Sequence, residues 1–143
     1  MKIKTLVAVL LLSGGVTSTF AQSDCNANSS ISHEAVRAKN FKDAYAPCMA
    51  VLKDCPTLRY YTYTDAQKIL TGLMSQIKDR NSAEYKKLFD ELMAVHDQKM
   101  KYIPEFASKM KGVPSVASAL GTKAVDYLQY APAPDLNQAY AWL

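Results

Sequence analysis

The sequence predicts an all-α protein: antiparallel helical hairpins laid side by side, about six helices following an N-terminal signal segment. Three observations carry this. Apolar residues recur at steps of three and four over residues 41–55 and again over 82–102, which puts one apolar face on each helix. Turn-forming groups, Asp79-Arg80-Asn81-Ser82 and Gly112-Val113-Pro114 among them, separate the periodic stretches. Two cysteines, Cys25 and Cys55, lie equally far on either side of a turn expected at Lys39-Asn40.

The first residues are set aside before any fold argument. Met1-Lys2-Ile3-Lys4 is a short basic lead, and Thr5 to Leu12 form an apolar run. Thr19-Phe20-Ala21 places small residues where export peptidases cut, so residues 1–21 form the expected signal peptide. A membrane span needs about 20 apolar residues, and this run is far shorter, so no transmembrane segment is expected. No cysteine follows it directly, which argues against lipoprotein anchoring. The expected location is the periplasm or the outer envelope.

Residues 22–143 suffice for one domain that buries roughly two thirds of its unfolded surface. Without Lys2 and Lys4, fifteen basic residues face thirteen acidic ones. That balance does not describe a surface tracking phosphates, so no nucleic-acid partner is expected.

An exported chain meets oxidising conditions, and its three cysteines are first considered as disulfide partners. A hairpin turning at Lys39-Asn40 would bring Cys25 and Cys55 together at its open end. Cys48 lies two turns before Cys55, about 10 Å away along a helix, too far for a relaxed bridge. It is taken as a small buried apolar residue, with a reactive thiol as the other reading. Pro47 either bends its helix or starts a short one, and the unbroken stripe Phe41, Ala44, Tyr45, Cys48, Val51, Leu52 favours a bend.

In this same stretch Phe41 is followed by Ala44, Cys48, Val51 and a closing Pro56, a spacing that resembles the second helix of a tetratricopeptide repeat. Counting back from Pro56 starts the repeat at Cys25. Tryptophan and the leucine-glycine pair are missing from the first helix, and Cys48 stands where an aromatic is usual. The resemblance implies a TPR-like α-solenoid over residues 22–143, similar to small exported bacterial repeat proteins. It also implies that first helices line a concave groove holding a peptide or a partner helix. Carried onto this chain, the groove would show Ser29, His33 and Arg37, with Ser118, Thr122 and Asp126 on the later repeat.

Further along, Tyr60, Tyr61 and Tyr63 cluster. They either line a peptide-binding surface or pack the first hairpin onto the second. Thr62 or Thr64 is expected to cap a helix running to Lys78, with Asp65 in its first turn and Ile69, Leu70, Leu73, Met74 and Ile77 inward. Gly72 inside it signals close approach to a neighbour. Asn81 with Glu84 resembles a capping box for a helix over 82–102, on or beside whose apolar side lies His96, read as a hydrogen-bonded or half-exposed core histidine ahead of a ligand or catalytic one. Pro104 is expected to end it, leaving one loose helical turn before Gly112. Ser115 should cap a helix to Tyr130 with Val116, Leu120, Ala124, Tyr127 and Leu128 inward and Gly121 at a close contact. Ala131-Pro132-Ala133-Pro134 is a rigid linker. Asp135 with Gln138 should box the last helix, 136–143. Its apolar end, without a polar cap, suggests an N-terminal piece of a longer chain.

No Gly-rich phosphate loop, Gly-x-Ser-x-Gly turn or His-Glu-x-x-His occurs, so no catalytic site, metal or cofactor is expected. The expected role is a non-catalytic protein-interaction scaffold of the periplasm or envelope, holding a protein or peptide partner. The alternative is a small-ligand-binding helical module with a pocket lined by Tyr60, Tyr61 and Tyr63.

Overall fold

The computed structural model describes residues 17–143, with side chains from Asp24 onward. Most of the expected signal peptide, residues 1–21, lies outside the described residues. Six helices follow one another: α1 (Thr17–Arg37), α2 (Phe41–Asp54), α3 (Tyr61–Met74), α4 (Ala83–Lys109), α5 (Val116–Tyr130) and α6 (Leu136–Ala141). No strand occurs among the described residues. Each helix packs on the next, and α1 also lies against α3.

The first hairpin turns where its sequence demands. Lys39 takes the left-handed conformation (φ 57°) that ends α1. Asn40 then caps α2, its side chain accepting from the Asp43 amide. At the open end Cys25 and Cys55 form a disulfide with their α-carbons 6.3 Å apart. α2 runs through Pro47 rather than starting there. The missing hydrogen bond costs about 3 kcal/mol, and burial of Ala44, Cys48, Val51 and Leu52 along one face offsets it. Cys48 is fully buried as a free thiol.

α3 lies at the centre of the core: Tyr63, Ala66, Ile69, Leu70 and Met74 are all essentially inaccessible. Its ends differ from the expected ones. Neither Thr62 nor Thr64 caps it; Tyr60 stands at the cap position without a side-chain bond. The carbonyls of Arg59 and Tyr60 take the Thr62 and Tyr63 amides instead. Thr62 is thereby drawn inside, where its hydroxyl has no partner among the described residues. The helix stops at Met74, four residues early, as the Gln76 and Ile77 amides turn back onto Leu73 and Met74. Gly72 packs under the Phe41 ring so closely that a β-carbon would overlap it.

α4 extends to Lys109, through Pro104. The stripe Leu88, Leu92, Val95, Lys99, Ile103, Phe106 continues past the proline, and buried Phe106 meets Tyr60 and Tyr63 edge-on at 5.5 and 6.1 Å. Those contacts make the extra turns worth forming. Ser82, not Asn81, caps this helix by accepting from the Tyr85 amide.

Ser115 caps α5 as expected, yet the helix is rotated from its expected orientation. Ala119, Lys123 and Ala124 are buried, whereas Val116 and Leu128 are exposed. Two polar contacts with α4 fix this rotation: Lys123 with Asp97 at 2.6 Å and Asp126 with His96 at 2.8 Å. Gly121 has no neighbour close to it, so the expected tight approach is absent there. Asp135 caps α6 through the Asn137 amide rather than in a box with Gln138. Trp142 docks edge-on against Tyr127 at 5.0 Å, beneath the Lys123 ammonium.

Candidate functional site

α1 offers Ser29 and His33 one turn apart, and α3 offers Tyr61 and Asp65 one turn apart. The structure pairs them in order. Ser29 Oγ approaches the Tyr61 hydroxyl at 3.5 Å, and His33 Nδ1 meets Asp65 Oδ2 at 2.7 Å, each pair 32 residues apart. Two contacts at one offset mean that α1 and α3 run parallel and in register.

Asp65 is only 3% exposed at its side chain, and His33 is its one ion-pair partner among the described residues. A carboxylate only accepts, so Nδ1 donates, and Nε2 has no hydrogen-bond partner among the described residues. The imidazole, 37% exposed, also lies 4.6 Å from the Tyr61 ring. Arg59 completes the cluster. Its guanidinium donates to the Tyr61 hydroxyl at 2.5 Å and to Asn26 Oδ1 at 3.3 Å, and sits 5.7 Å from the Tyr61 ring centroid. The result is one tyrosine held between an imidazole and a guanidinium, with a buried carboxylate behind.

The expected groove stripe divides. Ser29 is fully buried, His33 half-exposed, and Arg37 fully outside, paired with Glu34 of its own helix at 3.2 Å. Steps of four advance about 400° in an α-helix, so such a row drifts by roughly 40° per step. Ser118 and Thr122 are exposed. The tyrosines divide as well. Tyr63 is buried and donates to the Pro56 carbonyl at 2.9 Å; with Tyr60 it holds α3 to the end of α4. Tyr61 bridges the first hairpin to the second through Ser29 and His33, and Tyr63 shares the core with Ala44, Cys48 and Leu52 of α2. Tyr63 has no accessible surface, so the three do not line one open pocket together.

Sequence reasoning missed Arg59, Asn26 and the pairing of Asp65. Of these only Asp65 left a signal, being 32 residues from His33 just as Tyr61 is from Ser29.

A second polar seam joins α3, α4 and α5. Lys99, buried on α4, donates to Gln67 Oε1 at 3.2 Å. The Gln67 amide nitrogen is thus turned to His96, 3.2 Å from Nδ1 and 3.1 Å from Nε2. His96 Nε2 is committed to Asp126, 2.8 Å away, so Nδ1 is the acceptor. An ammonium cannot accept, and this fixes every later donor in the chain from Lys99 to Asp126. His96 is fully buried, and the seam locks helices together. Burial also lowers the Lys99 pKa, against the pull of Asp126.

These contacts hold α1 to α3 and join α3, α4 and α5. The His33–Asp65 pair has the form of a general base, and among the described residues no activated nucleophile lies beside it. Ser29 is buried under Tyr61, and burial pushes the Cys48 thiol up to about 12. Among the described residues no three His, Cys, Asp or Glu side chains group as metal ligands, and no helix is long and apolar enough to cross a membrane.

The class defined so far is a disulfide-bonded, six-helix protein of consecutive hairpins, with one aromatic-polar cluster across α1 and α3. No family model, no curated protein and no solved structure matches the chain.

Proposed function

We propose that the protein is a non-catalytic interaction module of the periplasm or cell envelope, which holds a segment of a partner protein across α1 and α3. The carrying observation is the Tyr61 cluster. The Tyr61 ring of α3 is fixed by Arg59 of the preceding turn and by His33 of α1, with His33 Nε2 unclaimed among the described residues and Arg59 partly exposed. Such a surface suits a segment with an acidic or aromatic side chain, which would meet the guanidinium, the imidazole or the ring face. The tetratricopeptide resemblance of residues 25–56 supports the same face, since first helices form the binding groove in that family. The disulfide is compatible with an oxidising, exported setting.

The test is a fluorescence titration of a peptide panel that varies acidic and aromatic content, with the disulfide kept intact. Acidic-aromatic peptides should bind, and Arg59→Ala or Tyr61→Ala should weaken them about tenfold or more without loss of helicity. Unchanged affinity in Arg59→Ala and His33→Ala combined would overturn the assignment to this face.

A further inference from the structure

Away from Tyr61, a cleft of about 510 Å³ opens where α2, the end of α3 and the start of α4 meet. Its apolar part is formed by buried Leu88 and half-buried Leu73, Ile77 and the Tyr45 ring. At one edge the Tyr45 hydroxyl donates to both oxygens of Glu91, at 2.8 and 2.7 Å, tying α2 to α4. Burial, with Glu91 adding to it, pushes that hydroxyl up to about 12, so it stays a donor to Glu91.

The charges on the rim are unevenly used. Lys42 on α2 has no hydrogen-bond or ion-pair partner among the described residues. Lys87 on α4 reaches only Glu91, at 3.8 Å, the same carboxylate that Tyr45 already holds. Glu84 is the one acidic residue lining the cleft. Two ammonium groups on opposite walls thus flank an apolar trough whose volume falls in the range of small-molecule sites. We infer that this cleft binds a small amphiphilic carboxylate, its hydrocarbon or ring body on Leu73, Ile77 and Leu88 and its carboxylate between Lys42 and Lys87. The site is independent of the Tyr61 surface.

The experiment uses the oxidised protein and three soluble probes with one chain and different heads: decanoate, decanol and decylamine. Amide chemical shifts are followed by NMR during titration. Decanoate should bind tightest and move resonances of Tyr45, Leu73, Ile77 and Leu88. Lys42→Ala with Lys87→Ala should weaken decanoate by about three- to tenfold, the effect of two exposed charges, and leave decanol unchanged. Ile77→Asp should weaken both, at a position half-exposed enough to spare the fold. Decylamine binding as well as decanoate would overturn the inference, as would shifts confined to exposed apolar residues of α5 and α6 such as Val125 and Leu136. Decanoate affinity unaltered by the double lysine variant, or co-sedimentation with phosphatidylglycerol vesicles in place of decanoate binding, would do so too.

Discussion

The Phe41 ring lies directly over Gly72, so that α2 and α3 meet through that ring, with no room for a β-carbon beneath it. Glycine within an exposed helix costs about 1 kcal/mol relative to alanine. Here the sign reverses. Gly72→Ala should destabilise the protein by about 1–3 kcal/mol, the usual range for overpacking, as measured by urea unfolding. Phe41→Leu in the same chain should recover part of the loss, because the clash lies with that ring. A stabilised single variant would show that the two helices are not in contact there.

The Cys25–Cys55 bridge closes a loop across the whole first hairpin, 30 residues apart in sequence. On the chain-entropy account a loop of this size contributes about 3–4 kcal/mol. Cys25→Ser with Cys55→Ser should therefore lower the unfolding free energy by that amount, and the m-value should rise as the unfolded chain, freed of its cross-link, exposes more surface. The free Cys48, sealed in the core, should resist thiol reagents until the chain unfolds.

His96 joins three helices through side chains alone. His96→Ala strands the Gln67 amide and the Asp126 carboxylate and leaves a cavity. A loss of about 3–5 kcal/mol is expected, against well under 1 kcal/mol for Thr122→Ala on the exposed face. The hydrogen-bond chain also fixes the tautomer. Long-range ¹⁵N NMR of the native protein should find the His96 proton on Nε2 and none on Nδ1. In Lys99→Met the proton should stay on Nε2, because the Asp126 carboxylate only accepts. A proton on Nδ1 in the native protein would refute the assigned direction of the chain.

Alkaline pH should find the core's weak point at Cys48. Burial, reinforced by the Asp65 charge, raises its thiol from 9.0 to about 12. The folded state therefore favours the neutral thiol. Its contribution is complete below pH 9.0 and is lost as pH rises toward about 12. Tyr45, raised from 10.0 to about 12, adds a loss in the same direction from pH 10.0 upward. Thermal midpoints should hold steady up to pH 9 and then fall. Cys48→Ala should start about 1 kcal/mol less stable and show a flatter decline between pH 9 and 10. An identical slope in both proteins would place the alkaline sensitivity elsewhere.

Much of this architecture was legible in apolar spacing. The stripe from Phe41 to Leu52 made α2 visible through its proline, and the cysteine positions set the pairing of α1 with α2. Periodicity failed where local signals competed with burial. Pro104 read as a stop, but Ile103 and Phe106 carry the buried face of α4 past it. Thr62 and Thr64 read as caps, but the Arg59 turn already supplies those carbonyls.

The candidate site was half legible. His33 and Tyr61 stood out by residue type, whereas Asp65 read only as a first-turn acidic residue and Arg59 carried no pattern that marks it. Arg37 seemed to continue the His33 row, yet its helical drift carries it into solvent beside Glu34.

The amino-acid order alone determined the all-helical class, the turn at Lys39-Asn40 and the Cys25–Cys55 bridge, because each depends on apolar period, turn chemistry or chain length. Tertiary structure alone decided which polar groups meet: His33 with Asp65, His96 with Asp126, Lys123 with Asp97. A polar side chain has no period of its own, and its partner is set by the rotation of one packed helix against another.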